Sequence, residues 1–360
     1  MSSWCSIVVW FLLIASSNLV ESKCAFEAIF NFGDSNTDTG GFYAAFPSQG
    51  SPYGMTHFKR PVGRATDGRV ITDFLAQALG LPFVSPYLQS IGSDFRHGAN
   101  FATSASTVLM PQTSLFVSGV SPFYLDVQLR QFKEFKAKVD ASQGKGNTNL
   151  PPSYIFGKSF YTFYIGQNDF TGNLASQGIG GVKQYLPQVV SQITSTIKIG
   201  CYPMFLVQLS HDSSDIDEFG CLKSYNNAVV EYNNILKDAL AQTRKELSDA
   251  NVVYVDTHSV LLELFQHPTS HGLKYGTRAC CGHGGGSYNL NQQVFCGNTK
   301  EINGQTLSAS ACEDPYNYVS WDGIHATEAA NKQIAQAILS DSHFDPSFSL
   351  HILCDIQPIG

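Results

Sequence analysis

The chain has 360 residues, of which 43% are hydrophobic and 14% charged, with a formal net charge of −7. So few charges, with no heptad or glycine period, exclude a disordered tail, a coiled coil and a collagen-like fibre. A pI near 5.8 argues against a protein that grips a phosphate backbone, which needs a basic face, so no nucleic-acid partner is expected.

Taken in order, the chain opens on an unbroken apolar run from Val8 to Ala15. The run is too short to cross a bilayer as a helix, which takes about 20 apolar residues. It reads as the core of a secretory signal peptide over residues 1–23, cleaved between Ser17 and Lys23, although Met1 to Cys5 carries no Lys or Arg. A buried N-terminal strand is the alternative. No later segment reads as a membrane span.

Ala25–Phe32, Ser159–Ile165, Met204–Leu209 and Asn251–Val255 read as strands, with a weaker one near Asn100–Ala102. Helical patterns lie between them at Val70–Leu79, Phe123–Val139, Val182–Ile197, Ser224–Leu247 and Thr327–Leu339. In Phe123–Val139, Leu125, Leu129, Phe132 and Phe135 recur three or four apart and give one buried face. Strands alternating with helices imply right-handed crossovers and a parallel sheet covered on both faces. Residues 24–360 therefore read as a single three-layer α/β domain, whose chemistry gathers beyond the carboxyl ends of the strands.

Three segments at such ends carry chemistry. The first strand runs into Gly33-Asp34-Ser35-Asn36-Thr37-Asp38, which presents the Ser35 hydroxyl on a tight turn. The same residues also serve as turn formers and helix caps. Later come Gly166-Gln167-Asn168-Asp169, where an amide and a carboxylate point into the same crevice and Asn168 could donate to a developing oxyanion. Near the end, Trp321-Asp322-Gly323-Ile324-His325 places an Asp three residues before a His, able to accept from its Nδ1–H and leave Nε2 free as a base. His258, two residues after Asp256, is the internal competitor.

These blocks, in this order and spacing over the whole mature chain, resemble the GDSL esterase/lipases of the SGNH hydrolase superfamily. The Cys-Cys-Gly stretch at 280–282 and Cys312-Glu313-Asp314-Pro315-Tyr316 resemble the plant branch. The resemblance implies a flavodoxin-like α/β/α fold with a central parallel sheet of about five strands. It also implies Ser35 as nucleophile, His325 as general base and Asp322 as its orienting carboxylate. Asn168 and the Ser35 N–H would be oxyanion donors. The remaining backbone donor aligns with Ala105, where the family often has glycine, and it survives that change where φ stays negative.

The implied activity is hydrolysis of a carboxylic ester through an acyl-enzyme, the substrate being a short-chain or specialised-metabolite ester, or a lipid. An acyltransferase intercepting the same acyl-enzyme with an alcohol is the alternative. A glycosidase is a weaker rival, because it would leave the Ser-Asn-His set unused. No cofactor, metal or obligate protein partner is implied. Phe42, Tyr43, Phe46 and Tyr53 are either pocket lining or core.

Without the leader, eight cysteines remain, and an even count in an exported chain reads as disulfides. Local closures, Cys201 with Cys221 and the 280–312 group within itself, cost least chain entropy. A metal site of two thiolates and His283 lacks the spacing of structural zinc sites. The expected location is outside the cell or in the vacuole.

Overall fold

The computed structural model describes residues 24–112, 119–146, 148–172 and 213–360, together with Leu115, Gly180, Lys183 and Val189. The leader, the strand at Met204–Leu209, Cys201 and almost all of the helix at Val182–Ile197 lie outside the described residues.

The centre of the fold is β1 (Ala28–Gly33), wholly buried and flanked by β2 (Gly98–Asn100) and β3 (Ser159–Tyr164). Both neighbours run parallel to it, in the order β2-β1-β3. Alternation along β1 sends successive side chains to opposite faces. Phe30 and Phe32 meet Phe132 of α3 (Leu125–Ser142) at ring distances of 5.3 and 5.6 Å. Ile29 packs instead with Ala76 and Leu79, in and just after α2 (Ile71–Ala78). The sheet is thus covered by helices on both faces, and each such buried side chain contributes about 1.5–3 kcal/mol. The periodicity expected of α3 is found: Leu125 and Phe135 are buried, with Leu129 and Phe132 packed against the same core.

A short α1 (Gly41–Ala45) follows the β1 exit, and a long α4 (Lys223–Glu246) crosses the later part of the chain. Of the central parallel sheet, three strands lie among the described residues, and Met204–Leu209, another expected strand, lies outside them. The expected strand Asn251–Val255 contracts to β4 (Tyr254–Val255), which pairs antiparallel with β9 (Phe344–Asp345). Arg244 supports that pairing by donating to the carbonyls of Val252 and Asp345.

Between them lie α5 (Thr257–Gln266), β5 (Tyr275–Ala279), the hairpin of β6 (Thr299–Ile302) and β7 (Gln305–Ser308), then β8 (Tyr318–Ser320) and α6 (Glu328–Leu339). β5 and β8 pair in parallel, and α6 packs against α2 and α5. Cys280–Cys312 and Cys281–Cys296 close the 280–312 group within itself as expected, and Cys24–Cys354 ties the two ends across 330 residues. These cysteines are therefore not zinc ligands, and His283 Nδ1 lies 2.8 Å from the Ser308 carbonyl. No helix among the described residues is long and apolar enough to cross a membrane.

Candidate active site

Gly33 ends β1 where a Cβ would sit 2.5 Å from the Tyr164 carbonyl, so the strand can leave β3 sharply only with glycine. The Gln128 side chain of α3 holds this turn, accepting from the Gly33 N–H and donating to its carbonyl, both at 2.9 Å. Asp34 Oδ1 accepts from the backbone N–H and side-chain amide of Asn36, at 3.0 and 2.8 Å. The turn leaves Ser35 between them, 5% exposed.

The His loop is as locally determined. Asp322 Oδ1 accepts from the N–H groups of Ile324 and His325, at 3.0 and 2.9 Å, while the Trp321 N–H donates to the His325 carbonyl at 2.8 Å. Gly323, at φ 92°, turns where a Cβ would press on Leu290 at 2.9 Å. The loop is anchored from behind, because the Cys280 and Cys281 N–H groups donate to the carbonyls of Ser320 and Trp321.

These two loops, 290 residues apart, meet. His325 Nε2 lies 2.9 Å from Ser35 Oγ, and His325 Nδ1 lies 2.8 Å from Asp322 Oδ2. Burial alone would lower the imidazole, but the charge and hydrogen bond of Asp322 hold His325 above its usual range. Burial likewise opposes ionisation of Asp322, and His325 and the two backbone N–H groups outweigh it to hold the carboxyl low. An ionised Asp322 therefore fixes the tautomer with Nε2 facing the Ser35 hydroxyl, an arrangement able to take that proton. Asp256, beside the competing His258, caps α5 by accepting from the N–H and hydroxyl of Ser259.

Segment 103–109 closes the opposite side. Thr103 N–H donates to the Gly33 carbonyl at 3.2 Å, and Asn168 Nδ2 donates to the Ser106 carbonyl at 2.9 Å. Asp169 does not point into the crevice as expected of the sequence. It is buried and accepts from the Val108 and Leu109 N–H groups at 2.8 and 3.2 Å, bracing this segment from beneath. Ala105 sits at φ +62°, so the condition of negative φ is not met. A side chain in the left-handed region costs about 1–2 kcal/mol. Around it the Ala105 carbonyl accepts from Ser121 N–H at 2.9 Å, and Ser104 is held by Asp38. Among the described residues, the N–H groups of Ser35 and Ala105 have no hydrogen-bond partner.

Sequence reasoning missed the couplings between loops. Asn36 Nδ2 also donates to Gln167 Oε1 at 3.1 Å, joining the Ser35 turn to the β3 exit. Behind both, Asn31 Nδ2 donates to Asn100 Oδ1 at 2.7 Å, and Asn100 Nδ2 donates to the Thr37 carbonyl at 2.7 Å. The signal available was polar Asn at buried strand positions, which must find partners. Phe42, Tyr43 and Phe46 form a half-buried group reaching Phe123, with Phe46 and Phe123 centroids 6.3 Å apart. A cavity of about 240 Å³ lined by Pro52, Met55, Asp67, Cys312 and Trp321 includes neither Ser35 nor His325, so it is not where this chemistry would occur.

With that geometry in hand, the chain matches the family described as GDSL-like lipase/acylhydrolase over residues 29–338. It is 58% identical to a GDSL esterase/lipase of Arabidopsis thaliana, over 97% of each chain. It is 39% identical to a Hevea brasiliensis protein named an esterase, over 97% of this chain and 94% of the other. A protein of Arabidopsis thaliana named alpha-L-fucosidase 3 is 42% identical over 88% of this chain and 91% of its own.

Proposed function

The chain belongs to the GDSL-like lipase/acylhydrolase family and is a carboxylic ester hydrolase, and from that premise we propose that it is a secreted serine esterase working through Ser35, His325 and Asp322. The observation that carries this reading is the continuous path from Ser35 Oγ to His325 at 2.9 Å and from His325 to Asp322 at 2.8 Å.

In the proposed reaction Ser35 Oγ attacks the ester carbonyl as its proton passes to His325 Nε2. The tetrahedral oxyanion is held by the N–H groups of Ser35 and Ala105 and by the Asn168 amide, each worth on the order of 3 kcal/mol of barrier. His325 then gives its proton to the departing alcohol, and the alcohol leaves Ser35 acylated. Water, deprotonated by His325, releases the acid and restores Ser35. Short-chain or specialised-metabolite esters are the proposed substrates. The proposed fold is the flavodoxin-like three-layer one, with the sheet completed to about five strands. Export is supported by the apolar run at Val8–Ala15 and by the disulfides.

One relative's name raises glycoside hydrolysis, which takes two carboxylates flanking the bond. The carboxylates here are otherwise engaged: Asp322 holds His325, Asp169 holds Val108 and Leu109, and Asp34 is wholly buried. The test is turnover of p-nitrophenyl acetate, butyrate, palmitate and α-L-fucoside by the wild type and Ser35→Ala. Ester turnover in the wild type alone is the expected result. Ester turnover that persists in Ser35→Ala, or turnover of the fucoside alone, would overturn it.

A further inference from the structure

Asp322 Oδ2, the oxygen that faces His325 Nδ1, has a second partner: it accepts from the Tyr53 hydroxyl at 3.2 Å, across 269 residues of sequence. The Tyr53 ring stands edge-on to Trp321, with centroids 5.9 Å apart. The loop bearing it is tied to the segment that follows His325. Thr66 Oγ1 donates to the Ala326 carbonyl at 2.8 Å, and the Gly54 N–H donates to the Thr66 carbonyl at 3.0 Å. Arg69 pairs with Glu328 at 2.7 Å, both nearly buried, and Thr56 Oγ1 donates to Glu328 at 2.9 Å. The phenol therefore reaches Asp322 from a loop that cannot drift without breaking a buried ion pair.

We propose that Tyr53 is a positioning residue for the ester hydrolysis, its hydroxyl fixing the Asp322 carboxylate that in turn orients His325. This rests on the reading of Ser35, His325 and Asp322 given above. Two donors on Oδ2 and two on Oδ1 leave the carboxylate one rotamer, so the imidazole meets Ser35 Oγ without search. The phenol stays protonated as a donor, since burial and then the nearby Asp322 charge hold its ionisation well above the ordinary range. It also shares the Asp322 charge. With that donor gone the charge on Oδ2 bears more fully on the imidazolium, so His325 should hold its proton more tightly. The other titratable groups facing the pair are Asp34, against His325, and Tyr43, against Asp322.

Tyr53→Phe keeps the ring on Trp321 and removes only the hydroxyl. Full mature protein should show kcat lowered about three- to tenfold, with KM changed less than twofold. The acid limb of the kcat/KM profile should move up by about half a pH unit, so the deficit is larger at pH 6 than at pH 8. In an Asp322→Asn background, Tyr53→Phe should change nothing further. An unshifted acid limb, or the same fold-loss in both backgrounds while Ser35→Ala is inactive, would overturn the role of Tyr53 alone. Turnover surviving in Ser35→Ala would overturn this inference together with the reading it rests on.

Discussion

Asp38 Oδ2 accepts from both the N–H and the hydroxyl of Ser104, at 2.8 and 3.0 Å, and so clasps the turn after Ser35 to the segment that carries Ala105. The other carboxylate oxygen accepts from the N–H groups of Gly40 and Gly41, which start α1. A wholly buried carboxylate costs free energy, and burial does push the Asp38 pKa up, against these donors. It persists because it satisfies N–H groups from two loops that no helix or sheet ladder could reach.

Asp38→Asn must turn an NH₂ group towards N–H donors on one side or the other. We expect a loss of about 2–4 kcal/mol in urea unfolding and a fall in kcat larger than in KM. A fully active, equally stable Asp38→Asn protein would show that the clasp has no consequence.

Ala105→Gly removes the Cβ that is strained at φ +62°. Relief of about 1–2 kcal/mol is partly offset by the greater freedom of glycine in the unfolded chain, leaving a gain of roughly 0.5 kcal/mol. The N–H remains, so kcat should stay within about twofold. Ala105→Val, branched at Cβ, should lose stability; a valine variant as stable as the wild type would contradict the strain.

Asn168 spends one donor on the Ser106 carbonyl, which fixes the plane of its amide beside Ala105. Asn168→Ala should lower kcat by ~100- to 1000-fold with little change in KM. Unchanged turnover would remove Asn168 from the oxyanion site.

Burial raises Asp34 to about 6 and Asp169 to about 7, in each case against the hydrogen bonds that the carboxylate accepts. Both bind protons more tightly folded than unfolded, where a carboxyl titrates near 4. The stability that they carry is full below about pH 4 and is lost as the pH rises through about 6 and about 7. His325, also held above its usual range, acts in the same sense; Asp322, held low, acts oppositely but only in acid. Stability in urea should therefore be higher at pH 5 than at pH 8, by on the order of 4 kcal/mol from Asp34 and Asp169 together. Asp169→Asn should narrow that gap, and an undiminished gap would assign the dependence elsewhere.

The local turns of the first and last blocks were legible in the sequence because they close on themselves, whereas the carboxylate of the middle block, Asp169, turned instead to Val108 and Leu109. Asp322 closes its own turn onto Ile324 and His325, and Asp34 closes onto Asn36, whatever the rest of the chain does. The central strand and α3 were legible for a similar reason, since burial imposes periods of two and of three to four. The left-handed φ of Ala105 was not legible, because alanine carries no preference for it and the surrounding contacts impose it. Nor were the pairs Asp38–Ser104, Asn36–Gln167 and Tyr53–Asp322, or the antiparallel pairing of β4 with β9. A hydrogen bond between residues distant in sequence depends on the path of the backbone between them, which neither hydrophobic periodicity nor motif spacing encodes. The sequence by itself determined the local turns that carry Ser35 and His325; the tertiary structure alone decided that His325 faces Ser35 and which side chains hold the two in place.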